Sequence, residues 1–207
     1  MKTENKELMR MAKASLKGKW GIAVGTFLLY FLITGAIAGS AEVAPFFGLL
    51  NLIVGGPFAL GITIFSLAIS RESEPRLEQI FQGFNNFTTA LVAYLLMVLF
   101  VFLWTLLLII PGIIAALSYS MTFYIIADDS SIKPMDALNK SKTMMYGYKW
   151  KFFCLGLRFI GWALLCILTL GIGFLWLIPY VQVSYAKFYD DIKDKPITKE
   201  NSGYNKE

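Results

Sequence analysis

The chain has 207 residues, 57% of them hydrophobic and 16% charged, and its mean hydropathy is +0.60. A soluble domain carries about 25% charged residues, and a chain this short has little interior in which to hide so much apolar surface. The net charge of +5 sits beside apolar runs, so anionic lipid headgroups are the expected counter-charge and nucleic acid is not.

Histidine is absent, which removes the commonest general base and the commonest metal ligand. The two cysteines, Cys154 and Cys166, both lie in an apolar run and read as small buried hydrophobes. They form neither a disulfide framework nor a zinc pattern.

In chain order, the first element is basic and amphipathic. Leu8, Met11, Ala12 and Leu16 share a helical face opposite Lys6, Arg10, Lys13 and Lys17. Such a helix lies in the membrane interface. Apolar runs follow at 20–38, 45–69, 87–127, 152–170 and 171–186, the fourth interrupted only by Arg158. A helix rises 1.5 Å per residue and the hydrocarbon core is about 30 Å thick, so roughly 20 residues cross once. The run 87–127 is about twice that and carries Pro111-Gly112 near its middle, which predicts a hairpin with one helix to Ile110 and another to Ala127. Gly171-Ile172-Gly173 plays the same part between the last two helices. The expectation is an all-α polytopic membrane protein with six transmembrane helices arranged as three hairpins, plus short interfacial amphipathic helices.

Charge placement orients it. Lys2, Lys6, Arg10, Lys13, Lys17 and Lys19 precede the first span. Lys133, Lys140, Lys142, Lys149 and Lys151 follow the fourth, and Lys187, Lys193, Lys195, Lys199 and Lys206 follow the last. Only Arg71 and Arg76 lie between spans two and three, and the other connections hold no lysine or arginine. The positive-inside rule then places every charged connection and both termini in the cytoplasm. A secretory signal ending near Ala36, Ala38 and Gly39 is the alternative for the N-terminus, but its apolar part is long for one.

One unit recurs three times, over 4–72, 75–129 and 134–194. Each has an amphipathic segment, an aromatic-led span opened by Trp20, Phe87 or Trp150, a turn, and a return helix. Pro57, Pro111 or Pro179 marks that return, and Glu72 with Glu74, Asp128-Asp129 or Asp190-Asp191 closes it. The reading is one integral membrane domain over 1–194 and a polar, disordered tail over 195–207.

Few residues could carry chemistry. Arg158 is the one charge well inside a span; its stem can reach the cytoplasmic headgroups, or it can meet a ligand. Asp128-Asp129 and Asp190-Asp191 end helices, where negative charge opposes the macrodipole, so partners are expected: nearby lysines, the next helix N-terminus, or a cation. Asn51 and Gln182 are polar groups in spans, suited to interhelical hydrogen bonds or to lining a pathway. Gly55-Gly56-Pro57 kinks or breaks its helix. No nucleophile motif, phosphate loop or dinucleotide fingerprint is present, so no catalytic residue, cofactor or metal is expected.

Ile126-Ala127-Asp128-Asp129, Ala137-Leu138, Ser141, Gly147, Trp150 and Phe152 form a pattern with Ile109-Ile110-Pro111-Gly112-Ile113, Gly161-Trp162, Leu168-Thr169-Leu170-Gly171-Ile172-Gly173 and Trp176-Leu177-Ile178-Pro179-Tyr180. It resembles the bacterial domain-of-unknown-function family numbered 975, found mainly in Gram-positive organisms. That family is distantly similar to the membrane domain fused to some glycerophosphodiester phosphodiesterases. The resemblance covers nearly the whole chain before about residue 195 and implies an integral protein of the bacterial cell membrane. It implies no activity, because the relative's chemistry belongs to a separate soluble barrel that has no room here.

The leading expectation is a non-enzymatic interaction or envelope-maintenance component, in contact with anionic headgroups and a membrane-protein partner or a second copy. The alternative is a small transporter or export accessory that uses Arg158, Gln182 and the helix breaks at Pro57, Pro111 and Pro179. A lipid-acting enzyme around Asp128-Asp129 is the weakest reading.

Overall fold

The computed structural model describes residues 3–43 and 46–194, with side chains of 40–49 left aside. Lys2, the connection at Ala44-Pro45 and the tail 195–207 lie outside the described residues. Those described form helices and turns, with no strand.

The helices are α1 (Asn5–Leu16), α2 (Trp20–Val43), α3 (Phe46–Ser70), α4 (Gln79–Gln82), α5 (Phe87–Leu107), α6 (Ile109–Tyr119), α7 (Thr122–Asp128), α8 (Pro134–Met144), α9 (Lys149–Leu168) and α10 (Phe174–Lys193). Among the described residues five stretches are long and apolar enough to cross a membrane: Trp20–Gly39, Leu50–Ser70, Gln79–Leu107, Ile109–Asp128 and Lys149–Leu168. The sixth expected span, 171–186, falls in α10. That helix is not among the five, because its last turns carry Lys187, Asp190, Asp191 and Lys193. The helix α2 also continues to Val43, through residues expected as a connection.

Two turns differ from expectation in register or regularity. The hairpin after α5 breaks at Leu108, not at Pro111-Gly112. Leu108 is extended (φ −161°, ψ 146°), and Pro111 is the third residue of α6. A proline in the first turn of a helix loses no intrahelical bond, so Pro111 starts the return helix instead of ending the outgoing one. Pro57 and Pro179 lie inside α3 and α10. The return run also breaks again, at Ser120-Met121, between α6 and α7. Ser141 of α8 fills that break: its hydroxyl donates to the Ser118 carbonyl at 2.8 Å and accepts from the Met121 N–H at 3.2 Å. A side chain inserted into the ladder is a standard cause of such a kink. Between α9 and α10 the turn lies where expected. Gly171 has φ +86°, and its N–H donates to the Cys166 carbonyl at 3.0 Å, a helix-ending bond that favours glycine.

Packing sorts the helices into two rings. The α3 and α6–α7 windows are 61% and 50% buried, against 17%, 11% and 22% for α2, α5 and α9, which makes the first two inner and the others outer. Inner α10 buries Leu177, Pro179, Val183, Ser184, Ala186, Phe188, Tyr189 and Ile192. Each outer helix touches two inner ones: α2 lies against α3 and α10, α5 against α6 and α3, and α9 against α10 and α6. The amphipathic segments cross the inner helices: α1 on α10, α4 on α3, and α8 on α6 and α7. The faces they bury are small or apolar: Leu8, Ala12 and Leu16 in α1, Ile80 in α4, and Ala137, Leu138 and Ser141 in α8. The outer helices and their turns expose large apolar side chains, among them Phe102, Leu106, Ile109, Leu168 and Leu170.

The α3–α4 crossing is the closest. A Cβ on Gly61 would overlap the Ile80 carbonyl oxygen, and one on Gly83 would overlap the Pro57 carbonyl oxygen. Both clashes are with backbone, so no rotamer relieves them. Gly61→Ala and Gly83→Ala are each expected to cost about 1–3 kcal/mol, read as a lowered melting temperature of the detergent-solubilised chain. Gly161→Ala, where nothing lies within 4 Å, is the matched control and is expected to melt like the parent.

Candidate functional site

The inner helices α3, α7 and α10 end side by side, and their last residues make one ionic joint. Arg71, just after α3, reaches both others. Its Nη1 and Nη2 lie 2.6 and 3.0 Å from the two carboxylate oxygens of Asp128, a bidentate pair. Its Nε and Nη2 lie 3.1 and 2.8 Å from Asp190 Oδ1. Ser70 Oγ donates to Asp190 at 3.0 Å, and the Tyr189 hydroxyl donates to Asp128 at 3.0 Å. Lys193 Nζ bridges Asp190 and Asp128 at 3.3 and 3.5 Å. Lys187 Nζ caps the end of α3 by donating to the Ser70 carbonyl. The Asp128 hydrogen bonds hold the Arg71 guanidinium above its already high pKa, so it stays charged at any working pH.

Asp191 makes a second link. It pairs with Lys151 of α9 at 2.9 Å and accepts from Thr3 at 2.5 Å, tying the start of the chain to α9 and α10. Asp129 joins neither. It accepts from the Ser131 N–H and hydroxyl at 3.1 and 2.6 Å, a local turn that holds its carboxyl below the usual range. The two adjacent aspartates at 128 and 129 therefore do different things. Among the described residues no three metal-ligating side chains gather, and at the joint cationic side chains occupy the positions a cation would take.

A chamber of about 450 Å³ opens between the inner helices and α2 and α9. Its walls include Phe27, Phe31, Phe123, Phe152 and Ile178, and none of its lining residues is charged. Its polar groups have a pattern. Thr63, Ser120 and Gln182 each lie eight residues before Arg71, Asp128 and Asp190, which is about two helical turns. The hydroxyls of Thr63 and Ser120 donate to their own helices at 2.8 Å, leaving lone pairs for the chamber. The Gln182 amide and the Tyr30, Tyr124 and Tyr185 hydroxyls, also in the lining, make no hydrogen bond among the described residues. Tyr124 stacks on Tyr189 with ring centroids 5.3 Å apart, so the chamber is floored just above the joint.

Of the residues singled out by sequence, Asp128 enters the joint and Gln182 the chamber. Pro57 lies two residues before the chamber residue Ala59, and Pro179 follows Ile178, so both lie in helices that wall it. Pro111 belongs to the hairpin. Arg158 lies apart, exposed, on the outside of α9. By sequence Arg71 is only a loop charge. Its signal was positional: it follows Thr63 at the interval that separates Ser120 from Asp128 and Gln182 from Asp190.

A helical fold with five span-length apolar helices and an uncharged interior chamber is compatible with a multi-pass membrane protein. The family described as Protein of unknown function (DUF975) matches residues 1–116 and 105–196, and the chain belongs to it. No curated protein and no solved structure matches the chain.

The joint is partly solvated, with the Arg71 and Asp128 side chains 35% and 25% exposed, so its coupling is modest. A double-mutant cycle with Arg71→Gln and Asp128→Asn is expected to give a coupling of about 1 kcal/mol. Arg71→Gln alone is expected to lower the melting temperature more than Asp128→Asn alone, because it leaves two carboxylates with only Lys193 between them.

Proposed function

We propose that the chain is a six-span protein of the bacterial cell membrane. It is built as three helical hairpins with both termini cytoplasmic, and it acts without catalysis as an interaction or envelope-maintenance component. The observation that carries this reading is the disposition of polar groups. The convergent charges at the joint neutralise one another, and the serine that meets a carboxylate there, Ser70, meets an Asp190 already paired with Arg71 and Lys193. The outer surface is a belt of exposed apolar side chains suited to lipid or to a membrane partner. The threefold repeat belongs to the same proposal. It is supported by the cyclic packing of outer on inner helices, and by Gly18 and Gly147, both at positive φ two residues after the buried Leu16 and Met145. Kinship with the membrane domain of glycerophosphodiester phosphodiesterases would add no activity. The lysines of α1 and α8 face anionic headgroups in this reading.

One observation favours the second reading, a small transporter or export accessory: the chamber holds unpaired polar groups in an otherwise apolar wall. An unpaired amide in a span is costly, so a guest or water must satisfy Gln182. Without a charged lining residue, the guest would be uncharged.

Two measurements test these readings. In a chain whose Cys154 and Cys166 are replaced by alanine, Ile172→Cys is expected to react with an impermeant maleimide from outside intact cells. Lys133→Cys is expected to react only after permeabilisation; labelling of both from outside would sink the topology. Mild-detergent purification from native membranes is expected to bring a stoichiometric membrane partner or a homo-oligomer. A lone monomer that moves an uncharged solute in proteoliposomes, and stops when Gln182→Leu is introduced, would instead establish transport.

A further inference from the structure

Arg158 is the one charge of α9 beyond its first turn, and among the described residues it has no hydrogen bond and no ion pair. It is not isolated from other charge. It shares an open groove of about 490 Å³ with Lys6, Arg10 and Lys13 of α1, walled by Met9, Trp162 and Tyr180. No acid lines that groove. Glu7 neutralises Arg10 at 2.7 Å, but Lys6, Lys13 and Arg158 have no ion pair among the described residues. Three like charges gathered beside an apolar helix repel one another unless an anion joins them.

The groove continues into a second pocket of about 250 Å³, which shares Lys13, Trp162 and Tyr180 with it and adds Trp20, Cys166, Trp176 and Leu177. Along α9, Arg158, Trp162 and Cys166 come one turn apart. Along α10, Tyr180, Trp176 and Gly173 do the same in reverse. The two pockets therefore lie end to end over about 12 Å, charged at the α1 end and aromatic at the other. Trp162 and Trp176 are 56% and 50% exposed, so the aromatic end opens sideways instead of closing over a soluble ligand. The Tyr180 hydroxyl donates to the Met9 carbonyl at 3.2 Å, which fixes α1 against α10 and so fixes the spacing of the groove.

We infer that this composite groove is a seat for one anionic phospholipid, its phosphodiester held by Arg158, Lys13 and Lys6 and an acyl chain lying along Trp162 and Trp176. Arginine suits the central place because its planar fork grips a phosphate through two bonds. A free phosphate would use the charged end only, whereas a lipid uses both ends, and the length and sideways opening favour the lipid. The inference rests on the membrane-embedded reading. Loss of the chain from membranes on alkaline washing would sink that reading, whereas a chain that stays but shows no lipid preference sinks only the inference.

The test uses the full chain in detergent, followed by native mass spectrometry with phosphatidylglycerol or phosphatidylcholine of identical chains. Phosphatidylglycerol is expected to be retained roughly tenfold better, as one molecule per chain. Arg158→Gln and Lys13→Gln should each erase most of that preference, and Arg158→Lys should keep part of it. Trp162→Ala should weaken both lipids alike, because it removes chain contact and leaves the charges. Both charge variants alter exposed side chains that have no hydrogen bond or ion pair among the described residues, and circular dichroism checks that they fold. Equal retention of the two lipids, or full preference in Arg158→Gln, would overturn the inference. Displacement of phosphatidylglycerol by millimolar inorganic phosphate would also overturn it and leave a phosphate site.

Discussion

Three inner helices that end side by side bring together three helix C-termini, each carrying partial negative charge on unsatisfied carbonyls. Two of them add an aspartate at that point, Asp128 and Asp190, which worsens the repulsion. Arg71 at the end of the third reverses it. Its guanidinium bonds both aspartates at 2.6–3.1 Å, Lys193 bridges the same pair at longer range, and Lys187 completes the balance at the Ser70 carbonyl. The arrangement depends on the third position being unlike the other two. An aspartate in place of Arg71 would gather three carboxylates around three helix ends, and the bundle would have to splay.

The joint holds the inner helices only at their ends, and the amphipathic segments hold them along their length. Where α4 crosses α3, Gly61 and Gly83 let one backbone lie against the other. Where α8 crosses the α6–α7 break, Ser141 both accepts and donates, replacing bonds the break has removed. Where α1 crosses α10, Ala12 is fully buried. Each crossing needs a small residue because a surface helix must approach an inner helix between two outer ones. The amphipathic segments are therefore structural clamps. The lysines of α1 and α8 are exposed, on the side away from the clamp.

Long apolar runs, basic connections and the glycine turn at Gly171 were legible in the sequence because each depends on local chemistry. The Leu108 break was not. Proline reads as a helix breaker, and only the position of the first turn shows that Pro111 opens α6. The division of labour between Asp128 and Asp129 was equally hidden. Adjacent residues on a helix end point in different directions, and which one meets Arg71 depends on where α3 ends in space. Gln182 was legible as a polar group in a span. That Thr63 and Ser120 match its position was not, because threonine and serine are ordinary in apolar helices and usually bond their own backbone.

Charge is sorted in this fold in a way that constrains any role. The joint is self-neutralised, the chamber has no charged lining, and the uncompensated cations of the groove lie on the outer side of α9 and on α1. An ion entering the chamber would meet no counter-charge and would lose hydration for the sake of a few hydroxyls and an amide, a poor exchange at low dielectric. The interior therefore offers no counter-charge to an ion, and the cationic groups of the groove face outward. The two regions meet on α10. The helix α1, which carries Lys6 and Lys13, is fastened to α10 through Met9 and Tyr180, and Tyr180 lies two residues from Gln182 on that helix.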